Sequence, residues 1–266
     1  MRQLYFSERL WAQTAFLLLA LIPVTLAAKA LDPRMINDIP IWTKPLKFQV
    51  SLALHFATFA VLATLLAEKT RRAFWLAGFA VAASIATMVE MAILMGQATR
   101  GVPSHFNEAT VLDQILYALM GIGAVVLILP ALAMGVRFLF VKTSARLTPG
   151  LKLGAALGLL FGFILTLTLG GYMSMQASGH WVGAPTTDAG GLPIFGWSRE
   201  GGDLRVAHFF ATHLMQALPL IGFLADRAFG AKSAAPRRLV WLAAIVGVGL
   251  SVGTFLQALS GQPFIG

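Results

Sequence analysis

Seven stretches of the chain are apolar almost without interruption over about the 20 residues that a helix needs to cross a bilayer. They cover residues 11–28, 48–67, 74–98, 114–140, 153–175, 206–225 and 239–259. Lipid cannot satisfy an open strand edge, so each stretch is expected to be a helix. Pro23, Pro130 and Pro219 fall inside the first, fourth and sixth and are natural places for kinks. The pattern predicts an all-α polytopic membrane helix bundle of about seven transmembrane helices, forming a single transmembrane domain over residues 1–266. No internal repeat, low-complexity tract or second domain is visible. The only long connection is the Gly/Pro-rich segment 176–205. Its Trp181, Leu192, Ile194, Phe195 and Trp197 give it apolar side chains to bury, so it is expected to fold back over the outer mouth of the bundle.

Composition agrees with lipid as the solvent. Of the 266 residues 58% are hydrophobic and only 12% charged, against roughly 25% charged in a soluble domain. The formal charge is +9, but the cations sit between apolar stretches, which is the pattern of membrane topology and not of a nucleic-acid surface. Lys69, Arg71 and Arg72 follow the second span. Lys142, Arg146 and Lys152 follow the fourth, with Arg137 near its end, and Arg227, Lys232, Arg237 and Arg238 follow the sixth. The other three connections carry mixed charge. The positive-inside rule therefore expects a cytoplasmic amino terminus and a periplasmic carboxyl terminus. A rival reading takes Arg2, Arg9, the first apolar run and the small residues near Ala28 as a cleaved signal, leaving six helices. The length of the run and Trp11 as an interfacial anchor speak for a retained span. With no cysteine in the chain, disulfides, thiolate metal sites and cysteine nucleophiles are excluded.

Ionisable groups at membrane depth are candidates for function. His55, Glu90, His208 and His213 lie within these spans. At about 1.5 Å per residue, His55 and His213 lie about 12 Å, and Glu90 roughly 15 Å, below the outer surface. Two imidazoles and one carboxyl group are thus expected in one layer. The plainer reading is that neighbours such as Ser51, Thr58, Thr87 and Gln216 satisfy them. His208 and His213 are five residues apart, which puts them about 140° apart around a helix, so they are expected to play different roles. His105 and His180 read as solvated loop histidines, or as lining the mouth with His208. Lys44, Lys47, Arg100 and Arg205, with Trp42, Trp181 and Trp197, read as headgroup anchors or as an anion site. Asp203 is a plausible N-cap for the sixth span.

Three segments carry a resemblance. Lys44-Pro45-Leu46-Lys47-Phe48, Arg100-Gly101-Val102-Pro103-Ser104-His105-Phe106-Asn107, and Gly201-Gly202-Asp203-Leu204-Arg205 followed by His208, His213, Gln216 and Pro219 resemble a family of uncharacterised bacterial multi-span membrane proteins. That resemblance implies a bacterial inner membrane and no particular activity. Seven-span zinc hydrolases of the adiponectin-receptor and alkaline-ceramidase type are a more distant comparison. They use histidines of the last span, which has none here. A phosphate-binding glycine loop, a Gly-x-Ser-x-Gly elbow, His-Glu-x-x-His and Cys-x-x-Cys-His are all missing.

These residues leave several functions open, all built on a periplasm-facing intramembrane His/His/Glu site. One is a haem b protein for electron transfer, with His55 and His213 as axial ligands, Arg205, Lys47 or Arg100 meeting the propionates, and a quinone or periplasmic redox partner. Another is a zinc or iron enzyme with His55 and His213 as ligands and Glu90 as a third ligand or general base. A third is a proton-coupled transporter in which Glu90 carries protons together with His213. A fourth is an accessory subunit whose buried polar groups only hold helices together.

Overall fold

The computed structural model describes residues 4–266; Arg2, on which the cleaved-signal reading leans, lies outside the described residues. Eight helices are present among those residues: α1 (Phe6–Leu31), α2 (Thr43–Ala63), the short α3 (Glu68–Arg71), α4 (Phe74–Arg100), α5 (Val111–Phe140), α6 (Pro149–Ser174), α7 (Leu204–Phe229) and α8 (Ala235–Leu259). All but α3 are long and apolar enough to cross a membrane. Side chains as large as Phe16 and Phe74 are exposed along them, which only a lipid solvent tolerates on this scale. The chain is thus a multi-pass, all-α membrane protein. Pro23, Pro130 and Pro219 lie inside α1, α5 and α7. Two short antiparallel strand pairs were not expected from the sequence: the hairpin of β1 (Met35–Ile36) with β2 (Ile39–Pro40), and β3 (Trp181–Val182) with β4 (Gly202–Asp203) across the long loop between them.

The chain divides into two compact units, the first holding α1 to α4, α5 as far as Pro130, and Thr187–Ala189. Its helices are tied by polar contacts between otherwise apolar faces. Thr14 of α1 donates to Ser84 of α4 at 3.0 Å, and Gln49 of α2 donates to Thr25 of α1 at 2.7 Å. At one end Glu8 and Arg71 form an ion pair in which both side chains are 1% exposed. Glu8 also accepts from the Tyr5 backbone N–H at 3.0 Å, and the Arg71 guanidinium lies over the Tyr5 ring at 4.4 Å. At the other end Asp32 accepts from Arg34 and from the Trp42 indole at 3.0 Å. Those hydrogen bonds, Arg34's first, hold the Asp32 carboxyl well below the usual carboxylate range, so the clasp persists as the pH falls through the range where free carboxylates protonate. The β1–β2 turn puts Asn37 and Asp38 at φ +50° and +64°, the paired left-handed geometry of a two-residue hairpin loop. Thr187 donates to the Asp38 carboxylate at 2.6 Å and closes that turn.

The second unit is built on α6, α7 and α8. Along α6, Gly150, Gly154, Gly158, Gly162 and Gly170 recur at multiples of four residues, with Thr166 in the remaining place. All of them face α7. A Cβ on Gly154 would lie 2.2 Å from the Leu218 carbonyl oxygen, and one on Gly158 2.6 Å from that of Leu214. The contact is reciprocal, since a Cβ on Gly222 of α7 would lie 2.2 Å from the Gly150 oxygen. Thr166 meets Thr212 at 3.1 Å between hydroxyl oxygens. In lipid, where tails are as apolar as leucine, such close backbone approach is what holds two helices together. Asp226 of α7 completes the interface by accepting the free N–H groups of Gly150 and Leu151 at 3.1 and 2.8 Å. It thereby caps the start of α6, whose own N-cap Thr148 makes no side-chain bond. Leu157, Leu214, Leu218, Val240 and Ala244 fill the space between these helices and α8.

The two kinds of glycine on α6 should separate on substitution. Gly154→Ala is expected to lower stability by about 1–3 kcal/mol through overpacking. Gly171→Ala, where a Cβ would meet nothing within 4 Å, should be neutral or stabilising by up to ~1 kcal/mol. Thermal unfolding in detergent checks both.

Candidate functional site

Glu90 lies on α4, ten residues before the helix ends at Arg100, and is 6% exposed. Its Oε1 faces Nε2 of His105 at 3.7 Å, and its Oε2 is buried without a hydrogen-bond partner. That oxygen is directed at α5, where a Cβ on Gly123 would lie 3.8 Å away. Glycine there leaves room beside the carboxyl group. Lys44 stands in the first turn of α2.

His105 arrives from the α4–α5 loop, which turns back on itself. Gly101 takes φ +70° to end α4, and Phe106 takes φ +56°, a conformation that a bulky side chain adopts only when its surroundings enforce it. Asn107 fastens the turn by donating to the Pro103 carbonyl at 2.9 Å. The result inserts His105 among Phe48, Tyr117 and Phe106, with ring centroids at 5.5, 6.0 and 6.4 Å. Its Nδ1 meets the Ser104 hydroxyl at 3.1 Å. The side chain is only 22% exposed, so the reading of His105 as a solvated loop residue is corrected. His180, the other loop histidine, is buried, its ring tilted against that of Trp181 at 3.7 Å between centroids.

The remaining candidates have neighbours of their own. His55 is buried on α2 with its ring 4.2 Å from Phe59, which in turn packs on Trp11 at 5.4 Å. His55 and Glu90 belong to the first unit and His213 to the second. His213 directs Nδ1 at the Phe209 carbonyl of its own helix at 2.7 Å and lies 4.0 Å from the Phe209 ring. His208 packs on Gly170 of α6, where a Cβ would lie 3.0 Å from its ring. The two histidines of α7 thus have different neighbours, as their spacing requires. Among the described residues, no group of three or more His, Asp or Glu is placed to hold a metal ion.

The basic residues expected at the mouth are mostly engaged with the protein itself. Arg100 donates to Gln97 at 2.5 Å and to Asp113 at 2.7 Å. Asp113 also accepts from Gln97 and Thr110, which pins α5 to the end of α4. Lys47 is half-buried near the start of α2. Arg205 donates to Asp203 and to the Gly196 carbonyl, both at 2.7 Å. Asp203 caps α7 through the Arg205 N–H, as expected, and accepts from the Ser198 N–H as well. In this way the end of segment 176–205 is held down. Trp197 is buried against Phe195, Phe209 and Phe264.

Fold and site together define a polytopic helical membrane protein in which a carboxyl group inside α4 faces a histidine of the α4–α5 loop. Comparison with family models, curated proteins and solved structures found no match for the chain.

Removing the Arg205 side chain is expected to loosen the loop that it holds. Arg205→Ala should speed tryptic cleavage after the exposed Arg199 several-fold, an effect of about 1 kcal/mol or more on local opening. Arg137→Ala, on α5, should leave the rate unchanged.

Proposed function

We propose that this chain is a bacterial inner-membrane protein that carries out a proton-coupled process, transport in the simplest case, in which Glu90 takes up and releases protons by way of His105. The observation that supports this reading is the Glu90–His105 pair. One carboxyl oxygen faces a partly exposed imidazole at 3.7 Å, and the other is buried with no hydrogen-bond partner beside Gly123. A separation of 3.7 Å is too long for a direct hydrogen bond but suits proton transfer through one water or after a small closing movement. Imidazole is suited to the relay because its charge changes near neutral pH. With the positive loops inside, His105 opens to the periplasm, so protons load from that side. Glu90 lacks the fixed ion-pair partner that Glu8 has in Arg71, and a carboxyl group held purely for structure is normally fully bonded.

One observation favours a second reading. Nδ1 of His213 is bonded to the Phe209 carbonyl, which leaves Nε2 as the nitrogen with a free lone pair, the arrangement usual for histidines that bind zinc, iron or haem b. In that reading His213 is a ligand, and the chemistry is redox or hydrolytic at the periplasmic side.

Infrared difference spectra of the reconstituted protein test the first reading. The wild type should show a carboxyl band that comes and goes with pH and is absent from Glu90→Gln. His105→Ala should slow its exchange with deuterated water at least about tenfold. Identical pH-difference spectra for wild type and Glu90→Gln would overturn it. For the second reading, the purified protein should hold stoichiometric metal or show a Soret band, and lose it in His213→Ala.

A further inference from the structure

We propose that the face of α6 and α8 in the second unit is a binding site for one anionic phospholipid, with its headgroup on Arg237 and Arg238 and one acyl chain along α8. A groove of about 430 Å³ runs down this face between Phe161 of α6 and Trp241, Ile245, Val248 and Val252 of α8. Every residue lining it is apolar. Gly249 opens it, because a Cβ there would meet nothing within 4 Å. From Trp241 to Val252 the groove runs about 16 Å at ~1.5 Å per residue. That is close to half of the ~30 Å hydrocarbon core, the depth of a single leaflet.

The basic end of the groove identifies the occupant. Arg237 and Arg238 stand four and three residues before Trp241, so they share its side of α8 one turn nearer the helix start. Both are exposed, and Lys232 of the preceding loop is exposed as well. Among the described residues their side chains make no hydrogen bond or ion pair, in contrast to Arg71, Arg100 and Arg205, which bond to Glu8, Asp113 and Asp203. The start of α8 has no side-chain cap and carries Pro236 in its first turn, so the helix dipole there adds to the attraction for a phosphate. No acidic residue lies anywhere from Arg227 to the carboxyl terminus. A leaflet-deep apolar groove ending in two unpartnered guanidinium groups and an interfacial tryptophan is complementary to an anionic phospholipid. A second copy of this chain would bring its own arginines to the same place and be repelled.

Native mass spectrometry of the full-length protein, titrated with phosphatidylglycerol and phosphatidylcholine of identical acyl chains, tests the assignment. The wild type should retain phosphatidylglycerol at least roughly fivefold better, as expected from two basic residues near an anionic headgroup. Arg237→Gln with Arg238→Gln should abolish that preference. Gly249→Leu fills the groove from open space and should lower retention of both lipids while keeping the preference for the anionic one. Thermal unfolding of each variant confirms that it is folded. Equal retention of the two lipids by the wild type, a preference that survives the double arginine substitution, or a lipid-free dimer in place of the lipid adduct would each overturn the proposal.

Discussion

The second unit depends on a close approach of two helix backbones. Between α6 and α7 no hydrophobic gain is available in lipid, because separating the helices only replaces protein methyl groups by lipid ones. What remains is dispersion at short range and whatever polar groups can meet. Glycine at 150, 154, 158 and 162 removes the side chains that would keep the axes apart, leaving Leu214 and Leu218 carbonyl oxygens against bare Cα positions. The same closeness brings Asp226 within reach of the first N–H groups of α6, and it sets His208 on Gly170. Helix packing, helix capping and the placement of a histidine therefore follow from one stripe of small residues.

Charge is used sparingly and mostly at the ends of helices. Glu8 with Arg71 and Asp113 with Arg100 join helix termini to neighbouring segments, while Asp32 with Arg34 and Asp203 with Arg205 are local pairs two residues apart at a helix end. A buried ion pair gains little net stability over apolar packing but is costly to break singly. Glu8–Arg71, the one of these four pairs with both side chains buried, accordingly fixes that α1 meets α3 and adds little to the strength of the bundle. Against that background Glu90 differs: it lies well inside a helix, its partner is a histidine that can change charge, and one of its oxygens is left over.

The membrane class and the number of long helices were legible because both depend on local quantities, the length and polarity of consecutive residues. Boundaries were less so. Helix α2 begins at Thr43, five residues before the apolar run, because Lys44 and Lys47 have aliphatic stems that tolerate a helical first turn at the interface. The glycine spacing on α6 is plain in the sequence, yet hydropathy does not weigh it, since glycine counts as neither apolar nor polar. The depth estimate put Glu90 in the same layer as His55 and His213 but said nothing about direction around each helix. Its actual neighbour, His105, sits in the Arg100–Asn107 segment, where loop position suggested solvent; only the turn at Gly101 and Phe106 carries the imidazole inward.

The sequence by itself determined that this chain lives in lipid as a set of long helices, because apolar length over consecutive residues needs no partner to be read. Its cations, alternating between connections, also set an expected orientation for the same reason. Tertiary structure alone decided which side chains meet: that Asp226 caps a helix 75 residues away from it, that Arg100 and Arg205 bond to the protein, and that Glu90 faces His105. Those outcomes depend on the rotation of each helix about its axis and on the path of its loops, which are fixed only when the elements pack.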